Sequence, residues 1–516
     1  MILLTYLKID YRFIETFTCC QDDHDYLIHA ETIAIDFDLD YSNQLEGFET
    51  RRFNDNGVVA PKGFIGSGFL ASPFLFLGNI LQNLVENNGN LDSKILNYKI
   101  LLYSLSAICY FFIGINLLTR VAYDLKVKIH PYSTILLISA TGLIYYSFER
   151  YSMTHVYEFF TTSLVIYFSH KYLTTNQNLY AILTPMAIFL SLSVRWVNYF
   201  VIFLPFILYN LFQKEYKYNT MLKNKNFTVS FFSSFILFLY SNYEIYGKIT
   251  INPQYVYETE KMASGFLNGS SSMFQFIFDN LSNLLIIFTT KEFGIILFSP
   301  LIFFASVYCF FIFLDRKLSL SLKIMLFASF VLIYAPVLLW KSTASSYGFR
   351  YLLSSVSLCF LLYLHFIKYN NFRLIIFLLH SISVFSFLSI LFFETSPETS
   401  LSLVEVTNSF GRKLRFSQPE YLSGYIDTVF NIQSYLKIFS TSFLGVIIFK
   451  GILSFLNIDQ LNNLLSQYGL PTSNEDFQSL LINLETISIY KISLVILLLI
   501  LITMKTQKSI KKYVQI

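Results

Sequence analysis

The densest group of ionisable side chains in this chain lies close to its start, in "CQDDHDYLIHAETIAIDFDLDYSNQ", where Asp22, Asp23, Asp25, Asp36, Asp38 and Asp40 fall within one short stretch. An aspartate just ahead of a helix can cap its exposed backbone N–H groups. Capping accounts for one carboxylate and leaves the Asp22–Asp23 pair and the "DFDLD" run without a task. The chemical alternative is general base catalysis, in which a carboxylate takes the proton of an attacking hydroxyl as the new bond forms. If the leaving group is a phosphate, no general acid is required, because phosphate departs as a stable anion. It requires cations instead, to hold the growing negative charge. Candidates are Lys62 in "APKGFIGSG", Arg150 in "ERYSMTH", Arg195, Lys341 and Arg350 in "SYGFRY". A guanidinium forks two hydrogen bonds onto phosphate oxygens, whereas an ammonium acts as a compact point charge. Gly348 permits close backbone approach beside Arg350.

Other polar residues have plainer readings. His155 is expected to orient the turn that precedes it, and Glu149 and Arg150 to pair at the headgroup level. Arg195 with Trp196 reads as a turn whose arginine snorkels to the interface. His24, His29 and the neighbouring aspartates could be imagined around a hard divalent cation.

These residues must be positioned by elements that suit an apolar solvent. Of 516 residues, 54% are hydrophobic and 14% charged, against about 25% charged in soluble chains. Mean hydropathy is +0.53. The shortfall predicts an all-α polytopic membrane protein. Apolar segments of spanning length, about 17–25 residues, lie at 97–118, 132–148, 154–170, 179–194, 196–212, 227–244, 293–314, 322–340, 351–367, 373–393 and 487–504. Basic loops after 118, 212, 314 and 367, with the basic tail, face the cytoplasm by the positive-inside rule. Residues 20–96, the "ERYSMTH" turn, Arg195, 245–291, "KSTASSYGFR" and 394–434 then face outward, and the acidic stretch falls in a long first outer loop. Three regions follow: 1–393 with the site, 394–486 as outer loop and amphipathic segment (435–456 lying on or re-entering the outer face), and 487–516 as last helix and basic tail. The start, "MILLTYLKIDYRFIETF", carries four charges and cannot span, so an N-terminal helix that exports the next segment is expected to be missing. A net charge of +4 without a long basic block argues against nucleic acid. The five cysteines show no metal spacing and no disulfide framework.

Several stretches together resemble one family. "QDDHDYLIHAETI" is similar to the Asp-acidic-x-x-Tyr-x-x-x-Ala signature of polytopic glycosyltransferases with the GT-C fold, above all the family 39-like set of protein mannosyltransferases and aminoarabinose transferases. "DFDLDYSNQ" resembles the Asp-x-Asp-Leu run that follows the signature helix, and "APKGFIGSGFLASPFLFLG" the Pro- and Gly-rich jaw. "ERYSMTHVYEFF" resembles a Met-Ser-His-x-Tyr turn, with Thr154 for Ser; "FGIILFSPLIFF" and "SYGFRYL" resemble a Gly-Leu-x-x-x-Ser-Pro helix start and a Gly-x-Arg-Tyr motif. The resemblance covers residues 21 to 352. It implies a GT-C architecture of about 11–13 spanning helices with interfacial helices in the first outer loop. It also implies Asp22 as the acceptor-side base, with Asp23 standing where most members have Glu. Lys62 and Arg350 are then phosphate contacts, and Tyr26 and His155 join them on the substrate. The implied donor is a polyprenyl-phosphate sugar and the acceptor a hydroxyl on the outer face of a bacterial cytoplasmic membrane. No cofactor is implied, a divalent cation at the acidic loop being the alternative. A transporter or flippase of lipid-linked glycans is the other reading of so apolar a chain. That reading would place charge near the bilayer midplane and repeat its halves, and no repeat is found.

Overall fold

The structure is a computed structural model. It describes residues 21–45, 58–61, 63–87, 97–148, 150–216, 223–253, 287–288, 294–339, 350–370, 372–393, 401–407, 413–419, 451–453, 455–467 and individual positions from 490 to 508. The chain divides into two compact units, one of residues 18–387 with 403–417, the other of 1–17, 388–402 and 418–516.

The first unit is helical and holds every candidate site residue. In chain order come α1 (Gln21–Glu31), α2 (Gly66–Asn87), α3 (Tyr98–Asp124), α4 (Pro131–Ile138), α5 (His155–Thr175), α6 (Asn178–Val194), α7 (Leu204–Leu211), α8 (Lys225–Tyr246), α9 (Pro300–Leu314), α10 (Leu320–Leu339), α11 (Val356–Asn370) and α12 (Arg373–Phe393). Helix α12 continues past residue 387. A short sheet pairs β1 (Leu401–Thr407) with β2 (Lys413–Pro419), where an irregular outer loop is expected from the sequence. In the second unit, α13 (Ile458–Gln467) buries Leu461 and leaves most of its other described side chains exposed. Most of 435–456 lies outside the described residues.

Three helical stretches, Gly66–Glu86, Tyr98–Asp124 and Arg350–Asn370, are long and apolar enough to cross a membrane. The last is mostly buried and is surrounded by other helices, whereas α9, α10 and α12 leave Phe310, Leu314, Phe327, Leu374 and Phe377 exposed, as lipid-facing residues are. Between apolar helices in lipid, packing and interhelical hydrogen bonds replace the hydrophobic drive. Small polar residues supply both here. Ser357 on α11 sits 2.8 Å from Thr162 Oγ1 and 2.9 Å from Ser163 Oγ on α5. Ser106 on α3 meets Tyr157 on α5 at 2.6 Å. Each such bond contributes about 0.6 kcal/mol.

Two expectations need correction. Interfacial helices are expected in the outer loop 20–96, but α2 at 66–87 includes a stretch, Gly66–Glu86, that is long and apolar enough to cross a membrane. Its Leu70 carbonyl accepts from Tyr110 Oη, and its Gln82 Oε1 accepts from Tyr98 N, so α2 runs beside the first half of α3. Equally, 132–148 is not one continuous helix. After α4 comes a π-helical turn, Ser139–Leu143, in which Gly142 adopts φ 91°, a left-handed conformation favoured by glycine. Ser386 Oγ and Ser299 Oγ donate to the Ala140 and Thr141 carbonyls, at 2.8 and 3.1 Å. Side chains from other helices thereby satisfy the broken backbone, which is the condition for irregular backbone at such depth.

The start of α2 fits its surroundings only without side chains. A Cβ on Gly66 would lie 2.6 Å from the Ser193 carbonyl, and one on Gly68 would lie 2.4 Å from His29 Cβ. Gly66→Ala is expected to destabilise the protein by about 1–3 kcal/mol, read as a lower Tm in detergent. Gly451→Ala, at an exposed helical position where the added methyl meets nothing within 4 Å among the described residues outside its own helix and chain neighbours, is the control and should not lower Tm.

Candidate functional site

Helix α1 buries Asp25, Tyr26, Leu27, Ile28, His29 and Ala30, and the π-helical turn Thr32–Asp36 that follows buries Thr32 and Ala34. His29 explains why this helix is held so firmly. Its Nε2 lies 3.0 Å from the Gly63 carbonyl and its Nδ1 lies 2.9 Å from Tyr41 Oη. A carbonyl only accepts, so Nε2 carries the proton and Nδ1 accepts from the tyrosine. Tyr246 Oη donates to the same Gly63 carbonyl at 2.5 Å. Gly63 is itself pressed against the Tyr26 ring, 2.7 Å from where a Cβ would stand. The jaw segment is thus clamped between α1 and α8, and Gly66 joins it to the end of α6 at Ser193–Val194.

Immediately after that end stands Arg195. Its backbone is extended between α6 and the 3₁₀ turn Trp196–Phe203. The expectation that Arg195 snorkels is wrong, since the residue is only 7% exposed. Its Nη1 donates to Glu158 Oε1 at 3.1 Å, which also accepts from Thr154 Oγ1 at 2.6 Å. His155 Nδ1 approaches that oxygen at 3.5 Å while its ring meets Tyr146 edge-on at 4.5 Å. Snorkelling fails because the first turn of α5 presents a fully buried carboxylate, and a buried charge demands a partner.

Arg350 enters from the far side. It opens the 3₁₀ turn Arg350–Ser355 that leads into α11. Its guanidinium lies 5.2 Å from the centre of the Tyr351 ring, and that of Arg195 lies 4.6 Å from the same ring. Arg350 Nη1 also reaches Met153 Sδ at 3.9 Å, in the turn between Arg150 and His155. One phenol is therefore shared by two guanidinium groups, each in cation–π range. Tyr26 is electrostatically felt by Arg195, and Arg350 by His155. Of the residues expected at a site, the structure brings together Tyr26, His155, Arg195 and Arg350, around a buried Glu158 that the sequence reading did not assign to it. Asp22 and Asp23 lie on α1 within one turn of Tyr26, and of them only the backbone is described. Lys62, Glu149 and Lys341 lie outside the described residues.

The "DFDLD" run has a different task. Asp36 Oδ2 accepts from the side-chain amides of Asn43 and Gln44. Asp38 Oδ1 accepts from Asp40 N at 3.1 Å, and Asp40 Oδ1 from Ser42 N at 3.0 Å. These carboxylates build Asx-type turns, with Phe37 in the left-handed region at φ 60°. Among the described residues, no three His, Cys, Asp or Glu side chains come together in a metal-binding group. Comparison with protein-family models, with curated proteins and with solved structures finds no match to this chain.

Two outcomes follow from this geometry. Burial holds the His29 imidazole down to about 4, from 6.5, so it is neutral in the folded protein. The unfolded imidazole takes up its proton near 6.5. The His29 share of stability, present above that pH, should therefore decline as pH falls from about 6.5 to about 4 and level off below, by about 3 kcal/mol. Thermal unfolding across this range measures it, and His29→Gln should remove that share and make the profile shallower. Arg195→Met strands the Glu158 carboxylate and is expected to cost about 3–5 kcal/mol. Adding Glu158→Gln to the same chain should restore much of the lost Tm.

Proposed function

We propose that this chain is a membrane glycosyltransferase that moves a sugar from a polyprenyl-phosphate donor to a hydroxyl acceptor. The observation that carries the reading is the convergence of α1, the Gly-rich jaw and the Arg195–Tyr351–Arg350 stack on one end of the bundle. Four of the motifs that suggest the family contribute residues there: Tyr26 of the signature, Gly66 of the jaw, Met153 and His155 of the turn, and Arg350 with Tyr351. Asp22 would accept the proton of the acceptor hydroxyl as its oxygen attacks the anomeric carbon. The bond from that carbon to the phosphate oxygen breaks, and the phosphate keeps the electron pair. Arg350, with Lys62 in the jaw, would hold that phosphate. Arg195 would serve chiefly as a positioning residue, fixing the Tyr351 ring against which Arg350 lies and, through Glu158, the first turn of α5.

The site's place at the ends of α5, α6 and α11 suits the substrate. A prenyl chain can lie among apolar helices while its phosphate stays at the polar boundary. Guanidinium groups are the favoured partners for phosphate, through paired N–H donors. Transport of a lipid-linked glycan, the competing reading, would favour charge near the bilayer midplane. Glu158 and Arg195 instead sit within one turn of a helix end.

Asp22→Asn preserves shape and removes the base. In vesicles supplied with a polyprenyl-phosphate sugar and a hydroxyl acceptor, transfer is expected to fall at least about 100-fold, the lower range for general base catalysis. Arg350→Lys keeps the charge but loses the fork, and is expected to weaken donor use by about tenfold. Wild-type transfer by Asp22→Asn would show that Asp22 is not the base.

A further inference from the structure

The helical stretch Arg350–Asn370 is 21 residues long, which at 1.5 Å per residue covers about 30 Å, the thickness of a bilayer core. Arg350 marks one end. The other end borders a cavity of about 570 Å³ between the end of α7, the α9–α10 connection and the end of α11. That volume lies within the range of small-ligand pockets, about 300–1,000 Å³. Its polar lining includes Lys214, Lys317, Asp315, Tyr308, His365 and Asn370. None of these takes part in the site at the Arg350 end.

His365 gives the cavity its chemical preference. The residue is 7% exposed, and its ring is held against Phe212 at 5.6 Å and Tyr369 at 4.7 Å. Asn370 Nδ2 donates to Tyr308 Oη at 2.9 Å, and that hydroxyl lies 2.8 Å from His365 Nδ1. With its oxygen accepting from the amide, the tyrosine can donate its own hydrogen to Nδ1, the tautomer in which the neutral imidazole carries its proton on Nε2. Nε2 has no hydrogen-bond partner among the described residues, although His365 lines the cavity. That edge of the ring is open to the cavity, and an anionic oxygen there would accept a charge-assisted hydrogen bond from it. Lys214 and Lys317 add two exposed ammonium groups at the mouth. Asp315 also lines the cavity, its Oδ1 accepting from Lys317 N at 2.8 Å, so the two ammonium groups outnumber one carboxylate there. Phe311 and Leu314, about 60% exposed, form an apolar rim beside these charges.

A donor-lined pocket with a cationic mouth and an apolar rim fits a phosphate ester. We infer that this cavity binds a phosphate-bearing headgroup at the membrane face opposite Arg350, the face where the basic loops gather. The inference does not depend on sugar transfer at the other end. The same chemistry is offered by an anionic phospholipid and by a soluble phosphate ester, and two arms of one experiment separate them.

The full chain is placed in phosphatidylcholine nanodiscs and titrated either with phosphatidylglycerol or with soluble glycerol phosphate, with ligand-dependent rise in Tm as the readout. Saturable protection is expected in at least one arm. Protection by phosphatidylglycerol alone identifies a lipid, and protection by glycerol phosphate identifies a solvent-borne ester. Lys214→Gln/Lys317→Gln, both at exposed positions, is expected to weaken the effective affinity at least about tenfold. His365→Gln should weaken it similarly. Lys223→Gln/Lys225→Gln, on another basic loop, should leave it unchanged. Absence of protection in both arms, undiminished affinity in Lys214→Gln/Lys317→Gln, or an equal loss in the control pair would overturn the inference.

Discussion

A buried carboxylate, Glu158, dictates the arrangement around it. Placed one turn into α5 with no solvent access, it needs a cation and hydrogen-bond donors. Arg195 supplies the first, and Thr154 completes the coordination of the same oxygen. To reach it, the end of α6 must lie against the start of α5, and Arg195 must stay inside. That placement sets the guanidinium over Tyr351, which positions the ring beside Arg350. The end of α6 is also the surface on which Gly66 packs, so the jaw and α1 inherit their position from the same pair. One ion pair therefore links segments that are far apart in the chain.

The clamp on Gly63 is the second constraint, and it works by stoichiometry rather than charge. One carbonyl receives both His29 and Tyr246, which ties α1 to α8 through the jaw. A neutral histidine with a defined tautomer suits this role better than a cation, because the acceptors and donors around it are matched. The helix carrying Asp22 is thereby tied to the jaw and to α8.

Much of this was legible in the sequence. Apolar segment lengths located α6, α8, α10 and α12 to within two residues, and α3, α5 and α9 closely at one end only. The signature from Asp22 to Ala30 announced α1 and half of its buried residues, Tyr26, Leu27 and Ala30 but not Asp25, Ile28 and His29. Other features were hidden for physical reasons. Glu158 and Arg195 are 37 positions apart, and only the α5–α6 hairpin brings them together. The available signal was a lone carboxylate inside the apolar run "HVYEFF", which should have demanded a partner. The "DFDLD" run misled because the side chains that build Asx-type turns are the same ones that could do acid–base work. The break at Gly142 could not be seen either, since its repair depends on Ser299 and Ser386, contributed by distant segments.

The central claim is that α1 and the Arg195–Tyr351–Arg350 stack enclose one anionic headgroup. Photo-crosslinking with a polyprenyl phosphate carrying its reactive group next to the phosphate, followed by peptide mapping, tests it directly. The account predicts labels on the α1 segment around Asp22–Tyr26 and on the turn around Arg350–Tyr351, both suppressed by excess unmodified polyprenyl phosphate. Labels confined to the Lys214–Lys317 end of the bundle, or labelling near Arg350 with none on α1, would contradict it.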